Sequence, residues 1–110
     1  MEARIENFLL ERGLTTLARN YSCRGGEIDL VMRERDVIVF VEVRFRRSAR
    51  FGSAAESVDA GKRRRLILAA HHYLAHHPAL ADAPCRFDVV AVTGDPNEPL
   101  VDWIAGAFSA

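Results

Sequence analysis

The sequence predicts an α/β fold: a central mixed sheet with a helix on each side, three layers with elements in the order α-β-β-β-α-β. Three observations carry this. Residues 37–47, VIVFVEVRFRR, open as an apolar run rich in β-branched residues, as a strand buried on both faces does. Segments 2–12 and 60–76 repeat apolar residues at helical spacing. The run CRFDVVAV, Cys85 to Val92, follows the second helix, and a helix crossing between two strands makes them parallel neighbours.

In order, Ile5, Phe8 and Leu9 share one face of the first helix. Glu2 lies on the edge of that face, and Glu6 is expected on the polar side with Glu11 and Arg12. Gly13 ends the helix as a C′ glycine. Residues 14–22 read as the first strand, and Arg24-Gly25-Gly26 as a tight turn. The second strand, Glu27 to Arg33, is expected to alternate, with Glu27, Asp29 and Val31 on one face and Ile28, Leu30 and Met32 on the other. After a turn at Glu34-Arg35-Asp36, the third strand places Ile38, Phe40, Glu42 and Arg44 on one face. These three strands read as an antiparallel meander.

Residues 45–56 read as a loop. The second helix, Ala60 to His76, has Leu66, Ala69, Ala70, Tyr73 and Leu74 as its apolar face, with Lys62 one turn earlier on the same face and Pro78 as the stop. Leu100 to Phe108 closes the chain as a short strand or helical turn. With 110 residues, 49% of them hydrophobic, the chain has the size of one domain, residues 1–110, and enough apolar material for a core. No apolar run approaches the roughly 20 residues of a membrane helix. The first residues carry acids and no cleavage signature, and Cys23 and Cys85 stand apart. These features predict a cytoplasmic protein with reduced thiols and no membrane partner.

The formal net charge is +0, yet residues 44–65 hold eight of the fifteen basic residues, opposed there only by Glu56 and Asp59. Such local concentration is what phosphate binding needs. Arg46, Arg47, Arg50, Lys62 and Arg63 are therefore candidate nucleic-acid contacts, arginine's planar fork pairing well with phosphate oxygens. His71, His72, His76 and His77 read as a solvated helix face.

A carboxylate inside a buried strand is costly without a positive partner. In a hairpin turning near residue 35 or 36, Asp29 and Glu42 come almost opposite each other. Facing carboxylates repel unless they share a cation, and Mg²⁺ prefers such oxygen ligands together with phosphate. The alternative is a structural ion-pair network of the two acids with Arg44 and Arg46.

The blocks GGEIDLVM, VFVEVRFRR, FG and CRFDVVAV, in that order and spacing, resemble the YraN-like family of uncharacterised bacterial proteins over nearly the whole chain. That family's fold is similar to the restriction-endonuclease-like PD-(D/E)xK nucleases, and among them to the archaeal Holliday-junction resolvases. The resemblance implies that Asp29 is the metal-binding aspartate, with Glu42-Val43-Arg44 as the E-x-K element. Counted back from Gly13, the family's helix glutamate falls on Glu2. The motif lysine is Arg44 here, which stays protonated and cannot act as a base, though it can orient water or stabilise charge.

The expectation is thus a nuclease-like, Mg²⁺- or Mn²⁺-dependent phosphodiesterase acting on structured nucleic acid, with DNA as the expected polymer. Glu2, Asp29, Glu42 and Arg44 are its catalytic set, and Asp29 and Glu42 its metal ligands. A two-fold dimer is expected by analogy with the resolvases. The alternatives are a nuclease fold without activity that binds DNA or RNA, and a protein-interaction subunit.

Overall fold

The structure is a computed structural model that describes residues 2–46, 58–94 and 97–110. Helix α1 spans Glu2–Glu11. Strands β1 (Thr15–Cys23), β2 (Gly26–Glu34) and β3 (Val37–Arg46) follow, then helix α2 (Ala60–Ala75), a 3-10 turn at Pro78–Leu80, and strands β4 (Cys85–Thr93) and β5 (Leu100–Phe108). The last segment is therefore a full strand. The five strands form one sheet in chain order. The meander β1-β2-β3 is antiparallel, β4 joins β3 in parallel and β5 returns antiparallel to β4.

The two helices cover opposite faces. On one, Leu66, Ala69, Ala70 and Tyr73 of α2 pack with Ile28, Val31, Ile38, Phe40, Phe87, Val89 and Ala91. On the other, Ile5 and Leu9 of α1 pack with Leu14, Leu30, Met32, Val39, Val41, Val43, Val90 and Val92. The alternation of β3 is thus realised in full, because a strand buried on both faces tolerates apolar residues at every position.

Local chemistry sets both helix boundaries. The amide of Gly13 donates to the Leu10 carbonyl and that of Leu14 to the Leu9 carbonyl. With Gly13 at φ 98, these two bonds form a Schellman cap, closed by Leu9 and Leu14 in the same apolar cluster. At α2, the Asp59 side chain accepts from the Lys62 amide at 2.9 Å. No helix among the described residues is long and apolar enough to cross a membrane.

Two expectations about facing need correction. Ile28 packs on the α2 side with Val31, whereas Leu30 and Met32 lie on the α1 side, so β2 does not alternate simply through Asp29. On β1, Ala18 and Tyr21, three residues apart, likewise both pack on the α2 side. The ladder pairs Arg19 with Leu30 and Tyr21 with Ile28, so both strands change facing at one level, where Asn20 has φ 49. A residue in the left-handed region breaks the period of two, and asparagine tolerates that conformation better than most.

The second correction is Glu6, which is buried rather than on the polar side. It accepts from Thr16 Oγ1 at 2.6 Å and from Arg19 Nε at 2.7 Å, tying α1 to β1.

Candidate functional site

The ladder between β2 and β3 runs from Glu34↔Val37 to Leu30↔Val41, and there it ends. Below that level β2 stays with β1 as far as Cys23↔Gly26, while β3 stays with β4 as far as Arg46↔Thr93. The sheet splits between its second and third strands, and Asp29 and Glu42 are the first residues past the split. Asp29 Oδ2 accepts from the Val43 amide at 2.8 Å, standing in for a lost backbone acceptor.

Glu42 is 2% exposed. It shares a hydrogen bond with Asp29, and its Oε2 lies 3.1 Å from Lys62 Nζ. Burial, first, and the hydrogen bond and charge of Asp29, second, push its carboxyl up to about 7, with Lys62 pulling the other way. The charge of Asp29 thus opposes ionisation of the buried Glu42, as a like charge close by does. Asp29 and Glu42 therefore come together as the meander register predicts.

Other expected members are distributed differently. Glu2 is exposed on α1 and lines a cleft of about 240 Å³ with Ala3, Glu6, Arg19, Asn20 and Asp29. Glu42 does not line that cleft, so Asp29 is what Glu2 and Glu42 have in common. Arg44 is half-buried, with no hydrogen bond or ion pair to either acid among the described residues, and its buried Nε has no partner there. The cation beside the acids is Lys62, expected at the nucleic-acid surface and instead drawn inward. The ion pair that forms is thus with Lys62 rather than with Arg44.

Among the remaining basic candidates, Arg63 Nε donates to the Val58 carbonyl at 2.9 Å, and its guanidinium lies over Phe108. Arg46 ends β3, half-buried, and Arg47 and Arg50 lie outside the described residues. Glu27 is half-exposed and pairs with Arg65 at 3.0 Å. Arg64 and Arg65 line a second cleft of about 490 Å³ with Lys62, Asp59, Gly25, Gly61 and Leu68.

Sequence reasoning put Lys62 on the inward stripe of α2 but missed the acid it meets there. Lys62 continues the stripe Leu66, Ala69, Tyr73 by one turn, and a cation at a helix start opposes the macrodipole unless an acid meets it. Sequence reasoning also missed the Glu6-Thr16-Arg19 cluster, which joins residues of two different elements.

Asp88, fully buried on β4, accepts from Arg86 Nε at 3.0 Å, Trp103 Nε1 at 2.9 Å and the Gly106 amide at 2.9 Å. Arg86 also reaches Glu34 at 2.7 Å. This network binds β2, β4 and β5, and its donors leave Asp88 no free role.

The sequence profile of UPF0102, an uncharacterised protein family, matches residues 1–92. The chain belongs to UPF0102. A UPF0102 protein of Saccharophagus degradans is 53% identical over 104 residues, covering 94% of this chain and 85% of the relative. One from Xanthomonas campestris pv. campestris is 56% identical over 108 residues, covering 98% and 87%. One from Nitrosomonas europaea is 55% identical over 101 residues, covering 92% and 83%. The UPF0102 match agrees with the family resemblance drawn from the sequence blocks. It runs from α1 into β4 and so takes in Glu2, Asp29, Glu42, Arg44 and Lys62.

The donors at the split suit a hard divalent cation. They are carboxylate oxygens, the charge of Asp29 works against that of Glu42, and a dication would relieve that conflict. Among the described residues, no group of three or more His, Cys, Asp or Glu side chains forms a ready-made metal cage. A cation held by only two carboxylates, with water and substrate oxygens completing its shell, is the usual habit of Mg²⁺.

Proposed function

We propose that this UPF0102 protein is a nuclease-like phosphodiesterase of the cytoplasm that acts on structured DNA with Mg²⁺ or Mn²⁺. The observation that carries the reading is the meeting of Asp29 and Glu42 at the split, with a cation beside them. Asp29 and Glu42 would hold the metal, which when bound supplies a Lewis acid for a phosphate oxygen and the attacking water. In the reaction a water oxygen forms a bond to phosphorus while the bond from phosphorus to a sugar oxygen breaks. One water proton stays on the new phosphate, which ionises to solvent, and the other ends on the departing sugar oxygen. Glu2, across the cleft from α1, orients water beside Asp29. Arg46, Arg64 and Arg65, with Arg47 and Arg50 that follow β3 in sequence, would bind backbone phosphates, which favours recognition of shape over sequence.

One observation favours a second reading, a nuclease fold that binds DNA without cutting it. The motif lysine is an arginine with no bond to either acid among the described residues. Incubation with synthetic four-way junctions and single-stranded DNA in Mn²⁺, with Asp29→Asn as control, separates the two. Nicking by the wild type alone supports the phosphodiesterase, whereas binding without nicking supports the DNA-binding module. Phosphate contact itself requires affinity to fall steeply with salt. No binding at low salt would remove both readings in favour of a protein-interaction subunit.

A further inference from the structure

We infer that Lys62, carried in from α2, is the cation of the Asp29–Glu42 site, taking the place that the sequence motif would give to residue 44. The inference deepens the phosphodiesterase reading and rests on it for its chemical use. The ammonium lies 3.1 Å from Glu42 Oε2 and 3.9 Å from Glu27 Oε1, and its side chain keeps 27% of its exposure. It is close enough to neutralise the acids and open enough to meet a substrate. Glu27 has a nearer partner in Arg65, so the principal demand on Lys62 comes from Glu42.

The fold fixes this placement twice. The backbone of Lys62 is pinned where its amide donates to the Asp59 cap. The approach of α2 is set by Gly26, where an added Cβ would stand 2.4 Å from the Arg65 carbonyl oxygen and 3.0 Å from the Ala69 amide nitrogen. The glycine pair before Glu27 thus has two tasks. Gly25, at φ 88, makes the turn, and Gly26 lets the helix backbone settle against the strand.

Arg44 has neither the contact nor the chemistry. It leaves β3 two residues past Glu42, yet meets neither acid among the described residues. An arginine presents a planar fork suited to phosphate, whereas an ammonium is a compact charge with three donors that can serve a carboxylate, a water and a phosphoryl oxygen together. Lys62 holds water and phosphate oxygens against the acids by donating to them.

The test compares Lys62→Met, Arg44→Met and the double variant Lys62→Met/Arg44→Lys in the full chain, with Lys62→Gln as a second neutral replacement and thermal melts to verify folding. Mn²⁺ affinity is read by titration calorimetry, and single-turnover cutting on a four-way junction. Removing a competing positive charge should tighten Mn²⁺ binding at least about fivefold in both Lys62 variants and less than about twofold in Arg44→Met. Cutting should fall more than about a hundredfold for Lys62→Met, less than about tenfold for Arg44→Met, and recover at least about tenfold in the double variant. Equal Mn²⁺ affinity in Lys62→Met and wild type would overturn the inference. So would a larger change from Arg44→Met, or no Mn²⁺ binding by any variant. If the affinities shift as expected while wild type leaves the DNA uncut, the phosphodiesterase reading falls and Lys62 remains the cation of the acids.

Discussion

Replacing Glu42 by glutamine should stabilise the protein at neutral and alkaline pH. The folded state holds the Glu42 proton up to about 7, against 4.5 for an ordinary glutamate. Between those values the unfolded chain releases the proton while the folded chain keeps it. Folding stability contributed by this group is therefore highest below 4.5 and declines until about 7. The interval corresponds to about 3 kcal/mol. Glutamine keeps the shape of a protonated carboxyl, with a donor for Asp29 and an acceptor for Lys62, and has nothing to ionise. Wild type and Glu42→Gln should then match near pH 4.5 and diverge above it. By pH 8 the variant should melt on the order of 10 °C higher.

Urea or thermal melts of both proteins from pH 4.5 to 8.5 measure the difference curve, in which shared titrations cancel. A wild type that gains on the variant as pH rises would refute the reasoning, because Lys62 would then outweigh burial and Asp29. Mn²⁺ at about one hundred times its Kd should return about 2.7 kcal/mol to the wild type at pH 8. The glutamine variant, with a ligand lost, should gain far less.

Three further outcomes follow from the same geometry. Asp88→Ala strips a fully buried carboxylate from Arg86, Trp103 and the Gly106 amide, and should cost about 3–5 kcal/mol in urea unfolding. Gly26→Ala forces α2 away from the β1–β2 turn. It should cost about 1–3 kcal/mol and should also weaken the effect of Lys62 on Mn²⁺ affinity. The hydrogen bonds of Glu6 to Arg19 and then Thr16 hold its carboxyl below the usual 4.5, so its contribution is present above that value and lost as pH falls through its own lower one. In acid melts, the advantage of wild type over Glu6→Gln should shrink progressively as pH falls below 4.5.

The fold was legible where one local rule governs each residue. The run from Val37 to Arg44 reads as a buried strand, which the structure carries on to Arg46, Gly13 could only end a helix favourably, and the turn after Glu34 set the register that brings Asp29 to Glu42. What escaped depends on partners distant in sequence. Glu6 is buried because Arg19 and Thr16 reach it from β1, and helical periodicity knows nothing of that strand. The change of facing at Asn20 and Asp29 is a backbone event with no apolar signature. Lys62 was visible on the inward stripe of its helix, but its partner was not, because the docking of α2 on Gly26 selects which acid it meets.

A sheet ordinarily insulates one side of a domain from the other, since its ladder leaves no gap wider than a hydrogen bond. Here the parting of β2 from β3 opens a window at one end of that wall, and Asp29 sits in the frame. On one flank Glu2 shares a cleft with Asp29, and on the other Lys62 pairs with Glu42. What is elsewhere a partition here lets a residue from each helix reach the neighbourhood of adjoining carboxyls.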